Sequence, residues 1–166
     1  PHYVRRLKDD VLQLPPKEIS RTASPLGCRQ KGLYVRIVRL VRSQEMSPLD
    51  ALNRLIQICS HPELQEPTEP DTRQLLEDSP KLMTTLDSLR SIQDSGEKVV
   101  VFTRHRRMQQ ILQQVLADEL GTHASVINGT VGGPERVRLV DRFNNRQGFG
   151  ALVVSPDAGG VGLNIT

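Results

Sequence analysis

Apolar and polar positions along the 166 residues fall into two regimes. In the first, apolar residues recur at helical spacing. Leu33, Ile37 and Leu40, with Val38 and Val41 beside them, predict a helix over 29–43. Ser47-Pro48-Leu49-Asp50 reads as a helix start, with serine as N-cap, proline at the first helical position and aspartate three residues after the cap. The helix that follows carries Leu49, Leu52, Leu55, Ile56 and Cys59 and stops near His61-Pro62. Ser79-Pro80-Lys81 repeats the cap-then-proline start. Leu82, Leu86, Leu89 and Ile92 form the next apolar stripe, which ends at Gly96. Ahead of these helices Pro15 and Pro16 forbid helix and impose an extended chain, and 18–23 reads as a short strand.

From Lys98 the pattern changes. Lys98-Val99-Val100-Val101-Phe102-Thr103 is a continuous β-branched run of the kind buried parallel strands show. Met108, Ile111, Leu112, Val115 and Leu116 follow at amphipathic spacing. A second strand is predicted at 124–127. A helix starting at Gly132-Gly133-Pro134-Glu135 carries Val137, Val140 and Phe143, and a third strand covers 151–155. Strands alternating with helices in this way predict parallel crossover units. The fold class expected is α/β: a partial parallel sheet flanked by helices, preceded by a mostly helical connector. The Pro- and acid-rich stretch 62–78 is the boundary region, which gives a connector over 1–70 and an α/β lobe over 71–166. Three strands make a thin sheet with an open edge, so a further strand–helix unit is expected beyond Thr166.

Composition narrows the function classes. Aromatics make up 3% of the chain and tryptophan is absent, which disfavours single-strand binding by stacking platforms. No apolar run approaches the ~20 residues of a membrane span. With no charged-then-apolar leader in the sequence either, a soluble intracellular protein without a membrane partner is expected. Cys28 and Cys59 lack metal-ligand spacing and are expected as buried thiols. The four histidines are scattered, so no metal site is predicted. No catalytic residue is predicted either: Asp9 and Asp10 are not a credible acid/base pair, and no nucleophile elbow is present.

Charge is unevenly placed. Residues 1–60 carry 11 Lys/Arg against 5 Asp/Glu, or +6. Residues 61–97 carry 3 against 9, or −6, and residues 98–166 carry 8 against 5, or +3. Arginine supplies 17 of the 22 basic residues, and its fork suits phosphate. Charge alone favours nothing more than a solvated surface.

Ligands of open α/β sheets bind at the carboxyl ends of the strands, where three segments fall. Thr103 can cap the helix after the first strand. Arg104, His105, Arg106 and Arg107 crowd that helix's first turn, where its dipole disfavours cations by roughly 0.3–1 kcal/mol each. A bound phosphate would offset this, as would arginines angled into solvent. Asn128-Gly129-Thr130 precedes a helix carrying Arg136. Gly129 would permit a special backbone conformation or a close approach, or simply form a turn, and Arg136 would face the same edge or pair with Glu135 or Asp141. Ala158-Gly159-Gly160-Val161-Gly162 lets backbone amides approach a ligand, although its glycine spacing matches neither the dinucleotide fingerprint nor the Walker A loop.

Taken in order, 98–103, 128–130 with Glu135-Arg136 and Asp141-Arg142-Phe143-Asn144, and 155–166 resemble the second RecA-like lobe of the Swi/Snf family of superfamily-two helicase-like ATPases. Residues 3–11, Leu14-Pro15-Pro16-Lys17 and Cys59-Ser60-His61-Pro62 resemble the stretch joining the two lobes of that family. The resemblance implies an ATP-driven motor on double-stranded DNA that closes on ATP, with Mg held by the first lobe. By the same resemblance Thr103, Arg104, Arg106, Arg107, Gly129, Arg136, Ser155 and Gly159 lie on the DNA side. Gly160, Gly162 and Asn164 lie on the nucleotide side. Asn128 departs from the aspartate usual there, and Asp157 stands where a basic or neutral residue is common. Because the first lobe and the downstream arginine motif are not in the sequence, the resemblance implies that the segment alone is inactive. It also implies a bacterial, cytoplasmic, nucleoid-associated setting. The alternative is a non-catalytic nucleic-acid- or partner-binding module that kept the lobe without the motor.

Overall fold

A computed structural model describes residues 18–159, 164 and 165. Three of its helices open at a side-chain cap, Ser47, Asp71 or Ser79. Helix α1 spans Cys28–Arg42 and α2 spans Pro48–Ser60. Ser47 Oγ accepts the Asp50 amide at 3.1 Å to start α2. A 3-10 turn, Pro62–Leu64, and helix α3, Thr72–Asp78, then occupy the stretch expected to be connector. Helix α4, Pro80–Asp94, is capped by Ser79 as predicted, and Gly96 follows it in the left-handed region. Strand β1 (Lys98–Phe102), helix α5 (Arg106–Leu120), strand β2 (Ser125–Ile127), helix α6 (Gly133–Asn144), strand β3 (Gly150–Val154) and a single turn, α7 (Pro156–Gly159), complete the order.

The sheet is parallel in the order β1-β3-β2. Val100 lies opposite Leu152 and Phe102 opposite Val154, while Ile127 flanks Val154 on the other side. Every residue of central β3 is buried. β1 is only half-buried, although its apolar run predicts full burial, because it is paired on one edge alone. Strand alternation divides the core between the two faces. Val99, Val101, Ala151 and Val153 pack against Leu75, Leu82, Leu86, Ile111 and Leu116 of α3, α4 and α5. On the opposite face Val100, Leu152, Val154 and Ile127 pack against Val140 and Phe143 of α6. Helices α1 and α2 form a hairpin with its own small core of Leu33, Ile37, Ala51 and Ile58.

Several expectations fail for identifiable reasons. Residues 18–27 form no strand; they run without regular structure to Gly27, which precedes α1. Glycine is required there, because a Cβ would sit 2.8 Å from the Asp78 carbonyl oxygen. Both cysteines are exposed rather than buried. Cys28 begins α1, and Cys59 lies on the outer face of α2 with the exposed Leu49, Leu52 and Ile56. The partners of α2 in the core are instead Ala51 and Ile58, so the predicted stripe is displaced around the helix. Part of the boundary stretch 62–78 is packed: Pro62 and Glu63 are buried, and Leu75 and Leu76, within the bounds given to the lobe, enter its core.

The candidate nucleic-acid interface

Segments 103–107, 128–131 and 155–159 meet at the carboxyl edge of the sheet. The ladder continues just past the strands and holds their starts together. The Thr103 amide donates to the Val154 carbonyl at 3.0 Å, and the Ser155 amide to the Ile127 carbonyl at 2.8 Å. Ser155 is buried, and its carbonyl accepts the Ala158 amide at 3.0 Å to close α7.

Thr103 does not cap α5. The N-cap is His105, without a side-chain bond, so the helix begins later than expected and Arg104 lies ahead of it. Arg104 and Arg106 are exposed, and no ion pair or hydrogen bond holds either side chain among the described residues. Arg107 turns inward. Its Nη2 lies 3.6 Å from Glu63 Oε2, and its Nε is buried without a partner. For this arginine the offset to the helix dipole is therefore an internal carboxylate.

Glu63 is the hub of a cluster that sequence reasoning missed. It is fully buried and accepts the Thr68 amide and hydroxyl at 2.8 Å each and Arg29 Nη1 at 2.8 Å. Burial alone would raise its pKa, but these donors outweigh burial and hold the carboxyl below its ordinary value. Arg29 also reaches Asp78 at 2.7 Å and the Glu66 carbonyl at 2.8 Å. His61 is fully buried beside this hub. Its Nδ1 accepts the Glu63 amide at 3.1 Å, so Nε2 carries the proton donated to the Leu75 carbonyl at 2.9 Å. A second ring proton would face the Glu63 N–H. Burial, together with this geometry, keeps the ring neutral and its pKa lowered, against the opposing pull of Leu75 and Glu63.

The sign of the pH dependence follows. Because the folded pKa lies below the unfolded value of about 6.5, the unfolded chain binds the extra proton first. His61 leaves stability flat above pH 6.5 and lowers it progressively as pH falls below that value. Denaturant titrations from pH 7.5 down to 5 should show this decline, and His61→Gln should flatten it.

The second segment is braced from within. Arg136 forms no ion pair with Glu135 or Asp141. Its Nε donates to the Val131 carbonyl at 2.8 Å and its Nη2 to the Asn128 carbonyl at 3.4 Å, while Arg138 pairs with Glu135. Gly129 has no left-handed backbone, and a Cβ there would meet no atom within 4 Å. Among the described residues nothing requires glycine at 129, and none occupies the space in front of it. Asn128 joins Gln109, Thr130 and Arg136 in one hydrogen-bond network. Gln109 went unremarked in the sequence, although a glutamine three residues before Leu112 within an apolar stripe was a readable signal. It is buried.

Of the nucleotide-side residues, Gly160 and Gly162 lie outside the described residues. Asn164 is exposed, and its carbonyl accepts Asn144 Nδ2 at 2.9 Å. Among the described residues no group of three His, Cys, Asp or Glu side chains could hold a metal, and no helix is long and apolar enough to cross a membrane.

A parallel sheet covered on both faces, with basic and glycine-bearing segments gathered at its carboxyl edge, defines a RecA-like lobe of the kind found in nucleic-acid motors. Residues 81–166 match the helicase conserved C-terminal domain, and the chain belongs to that family. Its homologues are helicases and remodellers of the SNF2 family. The whole chain is 32% identical to YwqA of Bacillus subtilis, a candidate ATP-dependent helicase/translocase, and spans 19% of its length. Over 99% of the chain it is 30% identical to the CHD3-type chromatin-remodeling factor CHR7 of Arabidopsis thaliana, of which it spans 15%. The C-terminal domain of the Sulfolobus solfataricus SWI2/SNF2 ATPase superposes on 86% of the chain with a TM-score of 0.71 and 26% identity, the match covering 64% of that domain. The core of that ATPase in complex with double-stranded DNA superposes on 79% of the chain and 30% of its own, with a TM-score of 0.68 and 25% identity.

Proposed function

We propose that the chain is the second motor lobe of an ATP-dependent translocase or remodeller acting on double-stranded DNA. The observation that carries this reading is the pair Arg104 and Arg106, exposed at the carboxyl edge of the sheet and unpaired among the described residues. Two exposed cations at this helix N-terminus, where the dipole disfavours them by roughly 0.3–1 kcal/mol each, suit an external anion such as phosphate. A DNA backbone would meet these two side chains together with the open face at Gly129. Arg107 shares the basic turn but is tied to Glu63. Thr103 and Ser155 hold the same edge through backbone hydrogen bonds, Arg136 braces the loop before α6, and Gly159 would face the DNA beside them. ATP would be shared with a first lobe of the same protein. That lobe would supply the phosphate-binding loop and the Mg ligands, and Gly160, Gly162 and Asn164 would complete the site from this side. On this reading the segment by itself hydrolyses no ATP.

Salt dependence of duplex binding by the full-length protein tests the assignment. Each phosphate contact contributes a slope of roughly −0.9 in log affinity against log salt. Arg104→Ala and Arg106→Ala should each make the slope shallower by about 1 and weaken all sequences alike. Arg138→Ala, an exposed arginine already paired with Glu135, should leave the slope unchanged. Salt-insensitive binding, or equal effects of all three substitutions, would refute the phosphate contacts.

A further inference from the structure

We infer that Gln109 is a positioning residue that fixes the spacing between the two DNA-facing segments, 103–107 and 128–131, through a side-chain amide relay with Asn128. The inference rests on the DNA-motor reading and adds to it the device that sets this edge. Four groups stand in line. The Thr130 amide donates to Asn128 Oδ1 at 3.0 Å, with the Thr130 hydroxyl at 2.6 Å from the same oxygen. Asn128 Nδ2 donates to Gln109 Oε1 at 2.9 Å, and Gln109 Nε2 donates to the Thr103 carbonyl at 3.2 Å.

Both ends of this line are backbone groups whose roles cannot reverse. The Thr130 N–H can only donate, so Asn128 must present its oxygen there and its nitrogen to Gln109. The Thr103 carbonyl can only accept, so Gln109 must present its nitrogen there and its oxygen to Asn128. The two constraints meet in the middle and agree. The relay thus has one polarity, and it requires an amide at both 128 and 109.

The requirement bears directly on what an aspartate at 128 would do. A carboxylate accepts the Thr130 amide but has nothing to donate to Gln109. Were Gln109 to flip and donate to it, the Gln109 oxygen would face the Thr103 carbonyl, acceptor against acceptor. In either orientation one link is lost beside a buried amide, and an unmade hydrogen bond on a buried group is costly. Asn128 and Gln109 are therefore matched, and the match ties the loop after β2 to the residue that leads into Arg104.

The test is duplex DNA binding by the full-length protein, followed by fluorescence anisotropy at low salt. Asn128→Asp and Gln109→Leu should each raise the half-saturating protein concentration roughly five- to tenfold. Because both cut the same relay, the double variant should be no weaker than the weaker single one. Hydrogen exchange supplies a readout that simple loss of packing around residue 109 would not give. In Gln109→Leu the Thr130 amide, which residue 109 does not touch, should exchange faster, while the Ser155 amide in the ladder keeps its rate. Wild-type affinity in both single variants, multiplied effects in the double variant, or an unchanged Thr130 amide would overturn the relay. A wild-type protein that fails to bind duplex DNA would overturn the motor reading itself.

Discussion

Glu63→Ala is expected to destabilise the protein by about 3 kcal/mol, near the lower end of what breaking a buried ion pair costs. Its carboxylate is fully buried and serves three donors, the Thr68 amide, the Thr68 hydroxyl and Arg29, with Arg107 facing its other side. Truncation removes the anion and strands those donors. Arg29 keeps Asp78 and the Glu66 carbonyl, which limits the loss. Arg107 and the Thr68 amide lose the carboxylate that faces them. The exposed pair Arg36–Glu66 gives the control, since Arg36→Ala should cost less than about 1 kcal/mol in a solvent-screened setting. Native-state hydrogen exchange of α3 to α5 in the full-length protein reads both. Equal effects of the two substitutions would show that Glu63 acts as a surface charge. A consequence beyond stability follows, because Glu63 holds Arg107 in the turn that carries Arg106. Loss of Glu63 should free that arginine and loosen the basic turn it shares.

Much of this architecture was legible in the residues. The cap-then-proline starts at Ser47 and Ser79, the β-branched runs of β1 and β3 and the amphipathic pattern of α5 each have a local physical cause, and local causes are written in sequence. The errors share the opposite origin. Leu49, Leu52 and Ile56 repeat at helical spacing as well as any core stripe does, yet they face outward. The hairpin partner α1 meets α2 through Ala51 and Ile58, and Gln30 Nε2 reaches the Ile58 carbonyl at 2.6 Å. Periodicity shows that a helix has an apolar side and does not tell which angle its neighbour takes. The stretch 62–78 reads as a boundary region from its prolines and carboxylates, and what packs it is not local. Its carboxylate at 63 is neutralised by Arg29, 34 residues earlier in the chain, a partner that no local pattern reveals.

The site divides in the same way. The basic turn at 104–107 and the Asn128-Gly129 segment were visible as residue types at the right ends of strands. Their division of labour was not. Arg104 and Arg106 have no partner among the described residues while Arg107 is held by Glu63, and Arg136 spends its donors on the carbonyls of Val131 and Asn128. Gln109 carried one readable sign, an amide inside an apolar stripe, but its partners Thr103 and Asn128 emerge only in the fold.

The central claim is that this lobe lets duplex DNA drive an ATPase. The most direct measurement is the steady-state rate of ATP hydrolysis by the full-length protein, at low salt, with and without duplex DNA. The rate should rise about tenfold or more with DNA, equivalent to lowering the barrier by about 1.4 kcal/mol. Arg104→Ala combined with Arg106→Ala should remove most of that rise. A rate that is the same with and without duplex DNA would contradict the claim.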